Sequence, residues 1–416
     1  MSFTAKAPDS TAAAETEQDG QEAADSSTAV HRPPAPVAPR ASRGFPSAVS
    51  RTGRVSGLDG LRTLAVALVV VHHVEPEVLP GGAVAVDVFF TISGFVITRL
   101  LIAEYVRRGG ISLMSFYRRR WLRLVPAMLA VSAFCVLLAS TTDLWGFEGS
   151  LQAAGFTAAF LTNVVRAMEP GPYSDLTAPL AHTWSLGVEE QFYLLWPIVL
   201  LLLLRRARAR TVLLCTAALC VLPLLWRCVL WNPDAAHRIY NGTDTRADQL
   251  LAGALVAVAL ARLRSDDPRL ALLRTWSARL AWPALALLGL VAWRIPVTED
   301  LGSWTAAWYT IGFLAVAALS AALVTALELR PEDRLSRLLA LTPLAWVGRN
   351  LSYGIYLWHY PVVRLLASLD VKEGRLTATV LLTLLAALLS YYALERPCLR
   401  RARGTKVRGP VPAAAT

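Results

Sequence analysis

Residues 57–74 read GLDGLRTLAVALVVVHHV, an apolar run with an arginine near its start and two histidines near its end. A helix that crosses the hydrocarbon core of a bilayer needs roughly 20 mostly apolar residues. Similar runs recur along most of the chain. They lie near residues 58–74, 83–103, 121–140, 150–165, 185–204, 211–231, 247–263, 280–294, 305–328, 351–369 and 375–395.

The composition of the whole chain agrees with this pattern. Of its 416 residues, 55% are apolar and 17% are charged, whereas soluble domains have about 45–50% apolar and about 25% charged residues. A cytosolic enzyme is therefore excluded. The net charge of +11 comes from arginines at the ends of apolar runs, which indicates membrane topology and no nucleic-acid partner. The five cysteines have no metal-ligand spacing, so we predict no metal site.

The distribution of arginines also predicts which runs cross the membrane, because cytoplasmic loops are enriched in Lys and Arg. Residues 104–120 are basic and 75–82 carry no cation, so we place them inside and outside, respectively. If 150–165 crossed, the cluster RRARAR at 205–210 would lie outside. We therefore interpret 150–165 as a re-entrant or surface element of a long outer loop, 141–184.

The predicted fold is all-α and polytopic, with about ten transmembrane helices and both termini in the cytoplasm. The excess of arginine over lysine fits a GC-rich bacterial genome, so we place the protein in a bacterial cell membrane. Residues 1–57 are predicted to be a disordered cytoplasmic leader, because they are rich in Ala, Ser, Pro and charged residues. Residues 58–396 form the membrane domain, and 397–416 form a basic cytoplasmic tail.

Ionisable side chains within these helices are functional candidates, since each costs on the order of 2.5–3.5 kcal/mol to insert. In the first helix, the step from Arg62 to His73 makes three turns plus about 20°, so both lie on one face, roughly 16 Å apart. Asp87 is predicted at a depth similar to that of His73, where a carboxylate would orient the imidazole for general base chemistry. The alternative is an arginine that snorkels to the interface and a histidine that caps the helix.

A second group of cations begins the third helix, FYRRRWLRLVP at 116–126. Arg120 and Arg123 are one turn apart, and with Arg62 they would form a phosphate site, because guanidinium groups contact phosphate in bidentate fashion. Arg119 and Arg123 are an alternative pair. The usual enrichment of arginine at the cytoplasmic ends of membrane helices would also explain any one of these arginines.

Two later stretches carry the remaining candidates. In HTWSLGVEEQFYLLWP, residues 182–197, Glu189 and Glu190 enter an apolar helix as adjacent carboxylates, and we place them at the depth of His73. Carboxylates at a helix start also complement the helix dipole. His359 lies among aromatic residues in a late helix, where a structural role is more common.

Together these blocks resemble the acyltransferase 3 family of integral membrane O-acyltransferases, which includes cell-envelope O-acetylases and macrolide O-acyltransferases that modify antibiotics. The resemblance extends over residues 57–396. The matching blocks are the Arg62–His73 spacing, VDVFFTISGFVIT (86–98), FYRRRWLRLVP (116–126), HTWSLGVEEQFYLLWP (182–197) and SYGIYLWHYP (352–361).

The resemblance implies transfer of an acyl group, usually acetyl, from acyl-CoA to a hydroxyl group of a sugar, glycan or secondary metabolite. His73 would be the catalytic residue, with Asp87, Glu189 or Glu190 orienting it. The cofactor phosphates would bind to three arginines, and three further residues would contact the acceptor. In this interpretation the cofactor-binding residues are Arg62, Arg120 and Arg123, and the substrate-binding residues are Trp184, Tyr193 and His359.

A proton-coupled transporter is the alternative from another functional class, because it too would bury histidines and carboxylates. It does not explain an arginine cluster at one membrane rim, and the sequence shows no inverted repeat of the kind that many transporters have. Beyond the hydroxyl acceptor, the only partners that we expect are membrane lipids.

Overall fold

The computed structural model describes residues 44–46, 53–168, 177–296 and 302–404. Most of the predicted leader and the end of the predicted tail lie outside these ranges. Within them the chain is helical, and no strand occurs. The helices are α1 Ser56–Val74, α2 Ala85–Arg108, α3 Leu113–Thr141, α4 Ser150–Ala158, α5 Thr162–Ala167, α6 Trp184–Arg206, α7 Ala209–Leu230, α8 Ala236–Asn241, α9 Thr243–Arg262, α10 Pro268–Arg294, α11 Thr305–Ala307, α12 Phe313–Leu329, α13 Arg334–Leu339, α14 Thr342–Asn350, α15 Ser352–Ser368, α16 Arg375–Ser390 and α17 Arg396–Gly404.

Eight helical segments in the described ranges are long and apolar enough to cross a membrane. The prediction of an all-α polytopic protein is therefore confirmed. Two other segments that we predicted to cross are helical but fall outside these eight: α15 has 17 residues, and α9 opens with the polar sequence TDTRADQ. The number of crossings and the side of each terminus stay predictions.

The segment 150–165 does not form one long helix. It contains α4, of nine residues, and the start of α5, of six, and they are separated at Phe160, whose φ is 56°. At 1.5 Å per residue these helices are about 14 Å and about 9 Å long, too short to cross a core of about 30 Å. The Gln191 side chain of α6 donates a hydrogen bond to the Phe160 carbonyl at 2.9 Å.

Helices α2 and α9 pack with their backbones in close contact. A Cβ atom added to Gly94 would overlap the carbonyl of Leu250, and one added to Gly253 would overlap the carbonyl of Thr91. In a membrane, small residues of this kind allow dispersion contacts between helix backbones. By contrast, Gly289 of α10 faces open space.

Two buried ion pairs also connect α2 and α7 to α9. Arg246 of α9 pairs with Asp87 of α2, and both side chains are almost fully buried. Arg227 of α7 pairs with Asp248 of α9 at 2.6 Å, and both side chains are 0% exposed. Arg227 also donates to the carbonyl of Thr310 at 3.0 Å, within the π-helical turn Trp308–Gly312, where the wider turn changes the helical hydrogen-bond pattern.

A third ion pair lies at the start of α9, where the side chains are partly exposed. Asp244 accepts hydrogen bonds from Arg238 at 2.6 Å and from the indole of Trp226 at 2.7 Å. Partial burial favours a raised pKa for Asp244, but these two hydrogen bonds outweigh it and hold the pKa below its usual value of 3.8.

Candidate active site

A cavity of about 90 Å³ lies between α1, α2, α3, α6 and α15. The residues around it are Arg62, Val86, Phe89, Phe90, Ser93, Arg120, Arg123, Leu124, Ser185, Leu186, Glu189, Tyr193, Ser352, Tyr353 and Tyr356.

The cavity brings together the three arginines that the sequence singled out. Arg62 and Arg123 form no ion pair with any residue in the described ranges, and the Nε atom of Arg62 is buried without a hydrogen-bond partner. Arg120 is paired with Glu190 at 3.2 Å and lies over the Tyr193 ring at 3.5 Å. Two guanidinium groups therefore have charge available for an anionic ligand, and the third is largely neutralised.

The two glutamates lie with these arginines and not with His73. Glu189 accepts hydrogen bonds from Ser93 at 2.9 Å and from Tyr193 at 3.3 Å. The expected common depth of Glu189 and His73 is not observed, because Glu189 follows His182 by two turns, about 10 Å. It is His182, in the 3₁₀ turn Ala181–Thr183 just before α6, that reaches the level of His73. Ser93, whose hydroxyl donates to Glu189, also lines the cavity.

Asp87 also lies away from His73, which corrects our prediction that it orients this histidine. Its carboxylate is ion-paired with Arg246, whose guanidinium lies 3.9 Å from the centroid of the Phe313 ring. The physical reason is the register of α1 and α2. Gly82 packs directly against His72, and Asp87 follows Gly82 by five residues, so Asp87 lies about 7.5 Å farther along the chain axis, away from the histidines.

His73 is half-buried at the end of α1 and is held by its own helix. Its Nδ1 atom lies 2.8 Å from the carbonyl oxygen of Val69. A carbonyl oxygen only accepts, so in the neutral ring Nδ1 carries the hydrogen and Nε2 carries the lone pair of a general base. The ring centroid lies 5.0 Å from that of His359 and 5.3 Å from that of Tyr360.

His182 and His359 complete a cluster of three histidines with His73. The ring centroids of His182 and His359 are 5.2 Å apart. His359 Nδ1 lies 2.6 Å from the carbonyl of Tyr356, and His182 Nε2 lies 3.1 Å from the carbonyl of Leu357. The other ring nitrogen of each, His359 Nε2 and His182 Nδ1, is buried without a partner in the described part of the chain.

The arginine-lined cavity ends next to this histidine cluster. Ser185 and Tyr356, which both line the cavity, share a hydrogen bond of 2.5 Å, and the Tyr356 hydroxyl donates to the carbonyl of His182 at 2.7 Å. With Arg62 at one end and His73 roughly 16 Å along the same helix, the site is elongated. One end is suited to an anion and the other to proton transfer.

The structure places the three predicted substrate-binding residues differently from one another. Tyr193 lines the cavity. Trp184 is buried and packs against Tyr240 in a tilted arrangement, with ring centroids 4.9 Å apart. His359 is 0% exposed, which does not support direct contact with a substrate. In the residues that the structure describes, no group of histidines, cysteines and carboxylates could hold a metal ion.

Sequence reasoning missed the roles of His182 and Arg246. His182 was visible as the first residue of the HTWSL block but was not selected as a candidate site residue. Arg246 lies in TDTRADQ, where several ionisable residues open a membrane helix. Ionisable residues in a membrane helix are costly to insert, which is why Arg62 was selected. The same reasoning marks this stretch as a candidate for function.

Comparison with known proteins gives a consistent result. A family model described as acyltransferase domain matches residues 55–395. The chain is 32% identical over 363 residues to O-acetyltransferase OatA of Staphylococcus aureus, which covers 83% of this chain and 57% of that relative. It is 32% identical over 357 residues to peptidoglycan O-acetyltransferase OatA of Listeria monocytogenes, covering 82% and 55%. The chain thus spans little more than half the length of these relatives, and no solved structure matches it.

Proposed function

The chain belongs to the acyltransferase domain family of membrane proteins, and from this premise we propose that it is an O-acetyltransferase that moves an acetyl group from acetyl-CoA to a hydroxyl of a cell-envelope glycan. The observation that carries the proposal is the elongated site. At one end are arginines without an ion pair in the described ranges, and at the other is a lone-pair nitrogen of His73. The glycan acceptor is suggested by the relatives, which are named as O-acetyltransferases and, in one case, as acting on peptidoglycan.

Arg62 and Arg123 would bind the phosphates of coenzyme A. Both side chains line the cavity, and neither has a counter-ion in the described ranges, so a phosphate would supply their missing partner. Arg120 would contribute less to phosphate binding, because its guanidinium group is already ion-paired with Glu190. The thioester arm would then extend along α1 toward His73.

His73 would act as the general base. Its Nε2 atom takes the proton of the acceptor hydroxyl while that oxygen attacks the thioester carbonyl carbon. The new C–O bond forms and the C–S bond breaks, and the imidazolium then returns the proton to the coenzyme A thiolate. The hydrogen bond from Nδ1 to the Val69 carbonyl keeps Nε2 as the basic nitrogen throughout.

The test is comparative mass spectrometry of envelope hydrolysates and secreted metabolites from cells carrying His73→Ala. We expect acetyl esters to disappear from one compound class, which would also identify the acceptor. The matched control is His72→Ala, because the His72 imidazole is directed to the carbonyl of Leu79 at 2.9 Å. Acetylation that persists in the His73 variant at normal protein level would overturn the assignment.

A further inference from the structure

The base that we assign has no carboxylate partner among the residues that the structure describes. A histidine that accepts a proton becomes a cation, and many catalytic histidines are stabilised in that form by an adjacent aspartate or glutamate. In the part of the chain that the structure describes, the His73 ring instead contacts the Val69 carbonyl and the rings of His72, His359 and Tyr360.

The carboxylates that the sequence assigned to His73 have other partners. Asp87 is paired with Arg246, and Glu190 is paired with Arg120. Glu189 accepts from Ser93 at 2.9 Å. Among the described residues, the groups in contact with His73 are therefore neutral, and a protonated His73 would be stabilised by them.

His359 is the neutral group best placed for this role. Its Nδ1–H donates to the carbonyl of Tyr356 one turn back on its own helix, which leaves Nε2 as a lone-pair acceptor on the outer edge of the ring. That atom is buried without a partner, although the ring centroid of His73 is only 5.0 Å away. Buried polar groups are normally hydrogen-bonded, so an orphan of this kind calls for an explanation.

His182 repeats the arrangement with its nitrogens exchanged. Its Nε2–H donates to the carbonyl of Leu357, so the lone pair is on Nδ1, which is also buried without a partner. Its ring lies 5.2 Å from that of His359. Main-chain carbonyls thus hold both rings in the tautomer that leaves an acceptor nitrogen within the cluster.

We propose that His359 and His182 are positioning residues whose lone-pair nitrogens, His359 Nε2 and His182 Nδ1, stabilise the imidazolium form of His73 in place of a carboxylate. The proton stays on His73 until it passes to the coenzyme A thiolate, and both positioning residues remain neutral. This inference rests on the proposed function, because it requires His73 to be the base.

Two amide substitutions at His359 separate this role from a structural one. His359→Gln places a carbonyl oxygen near the position of Nε2 and so retains the acceptor, whereas His359→Asn retains a donor near Nδ1 for the Tyr356 carbonyl and loses the acceptor. We expect kcat to fall roughly 10- to 100-fold in the Asn variant, as for loss of a hydrogen bond to a charged group. The Gln variant should stay within about threefold, with the KM for acetyl-CoA unchanged in both.

A purely structural role predicts the opposite order, because only Asn preserves the hydrogen bond to Tyr356. The same comparison at His182 is a mirror-image control: Asn supplies an acceptor near Nδ1, and Gln supplies only the donor near Nε2. We therefore expect His182→Asn to be the more active of that pair. If one pair does not fold in thermal unfolding measurements, the other decides.

Rates are measured on the purified full chain, with acetyl-CoA and envelope glycan fragments as substrates, in H₂O and in D₂O. A larger solvent isotope effect on kcat is expected in the variants that lose an acceptor. Equal rates within each pair, or the structural order in either pair, would overturn the inference and leave the proposed function intact. Absence of acetyl transfer by the wild-type protein would instead overturn the proposed function, and the inference with it.

Discussion

The substitution Arg123→Gln tests whether the arginine cavity binds coenzyme A. Arg123 lines the cavity without an ion pair in the described ranges, and it is repelled by Arg62 and Arg120 while Glu395 attracts it from beyond ion-pair distance. A hydrogen bond from a charged group contributes about 1.5–3 kcal/mol. At about 1.4 kcal/mol per factor of ten, loss of one such bond to phosphate raises Kd about tenfold to about a hundredfold.

Although Arg123→Gln should weaken coenzyme A binding, it should not lower the stability of the folded protein. The substitution breaks no ion pair and removes one of three like charges, so the unfolding temperature should stay the same or rise. A side chain retained for binding at some cost in stability would behave in this way.

The assay is isothermal titration of coenzyme A into the purified protein in lipid nanodiscs, with thermal unfolding of the same samples. The matched control is Arg119→Gln, on the same helix but 56% exposed and 4.0 Å from Glu104, which should change Kd by less than about twofold, as expected of an exposed pair. An unchanged Kd in the Arg123 variant, or an equal rise in the control, would refute the phosphate role. A large loss of stability would refute the argument from like charges.

Three further predictions concern the helices around the site. Asp87→Asn leaves Arg246 buried and unpaired, which should cost about 3–5 kcal/mol in thermal unfolding while kcat of the folded fraction stays near the wild-type value; a selective loss of kcat would restore the catalytic role. Gly94→Ala should destabilise the α2–α9 contact by about 1–3 kcal/mol through steric overlap, and Gly289→Ala, which meets open space, should be neutral or stabilise the protein by up to about 1 kcal/mol. Equal unfolding temperatures for those two variants would contradict the packing argument. The pKa of Asp244 is lower in the folded chain than in the unfolded chain. The stabilising effect of its carboxylate is therefore present above about pH 4, the unfolded value, and is lost as the pH falls through the folded pKa. Asp244→Asn should lower the unfolding temperature at pH 7 and lower it progressively less in acid.

The contacts within the site show where prediction from sequence stopped. The convergence of Arg62, Arg120 and Arg123 was predicted, because each spacing places its residue on a defined helix face near one membrane rim. The partners of Asp87 and Glu189 were not predicted. Each was assigned to His73 from its distance to a helix end, but the turn before α2 and the 3₁₀ turn before α6 shift both helices along the membrane normal.

The sequence by itself determined which segments are apolar helices, which ionisable groups they carry, and the separation of Arg62 and His73 along one face. Those properties are local, since hydropathy and a rise of about 1.5 Å per residue define them within a single helix. Only the tertiary structure decided the register between helices, and with it the pairing of Asp87 with Arg246 and the cluster of His73, His182 and His359. A shift of five residues moves a side chain about 7.5 Å along its helix. That displacement exceeds the reach of a hydrogen bond, and the apolar pattern within one helix does not encode it.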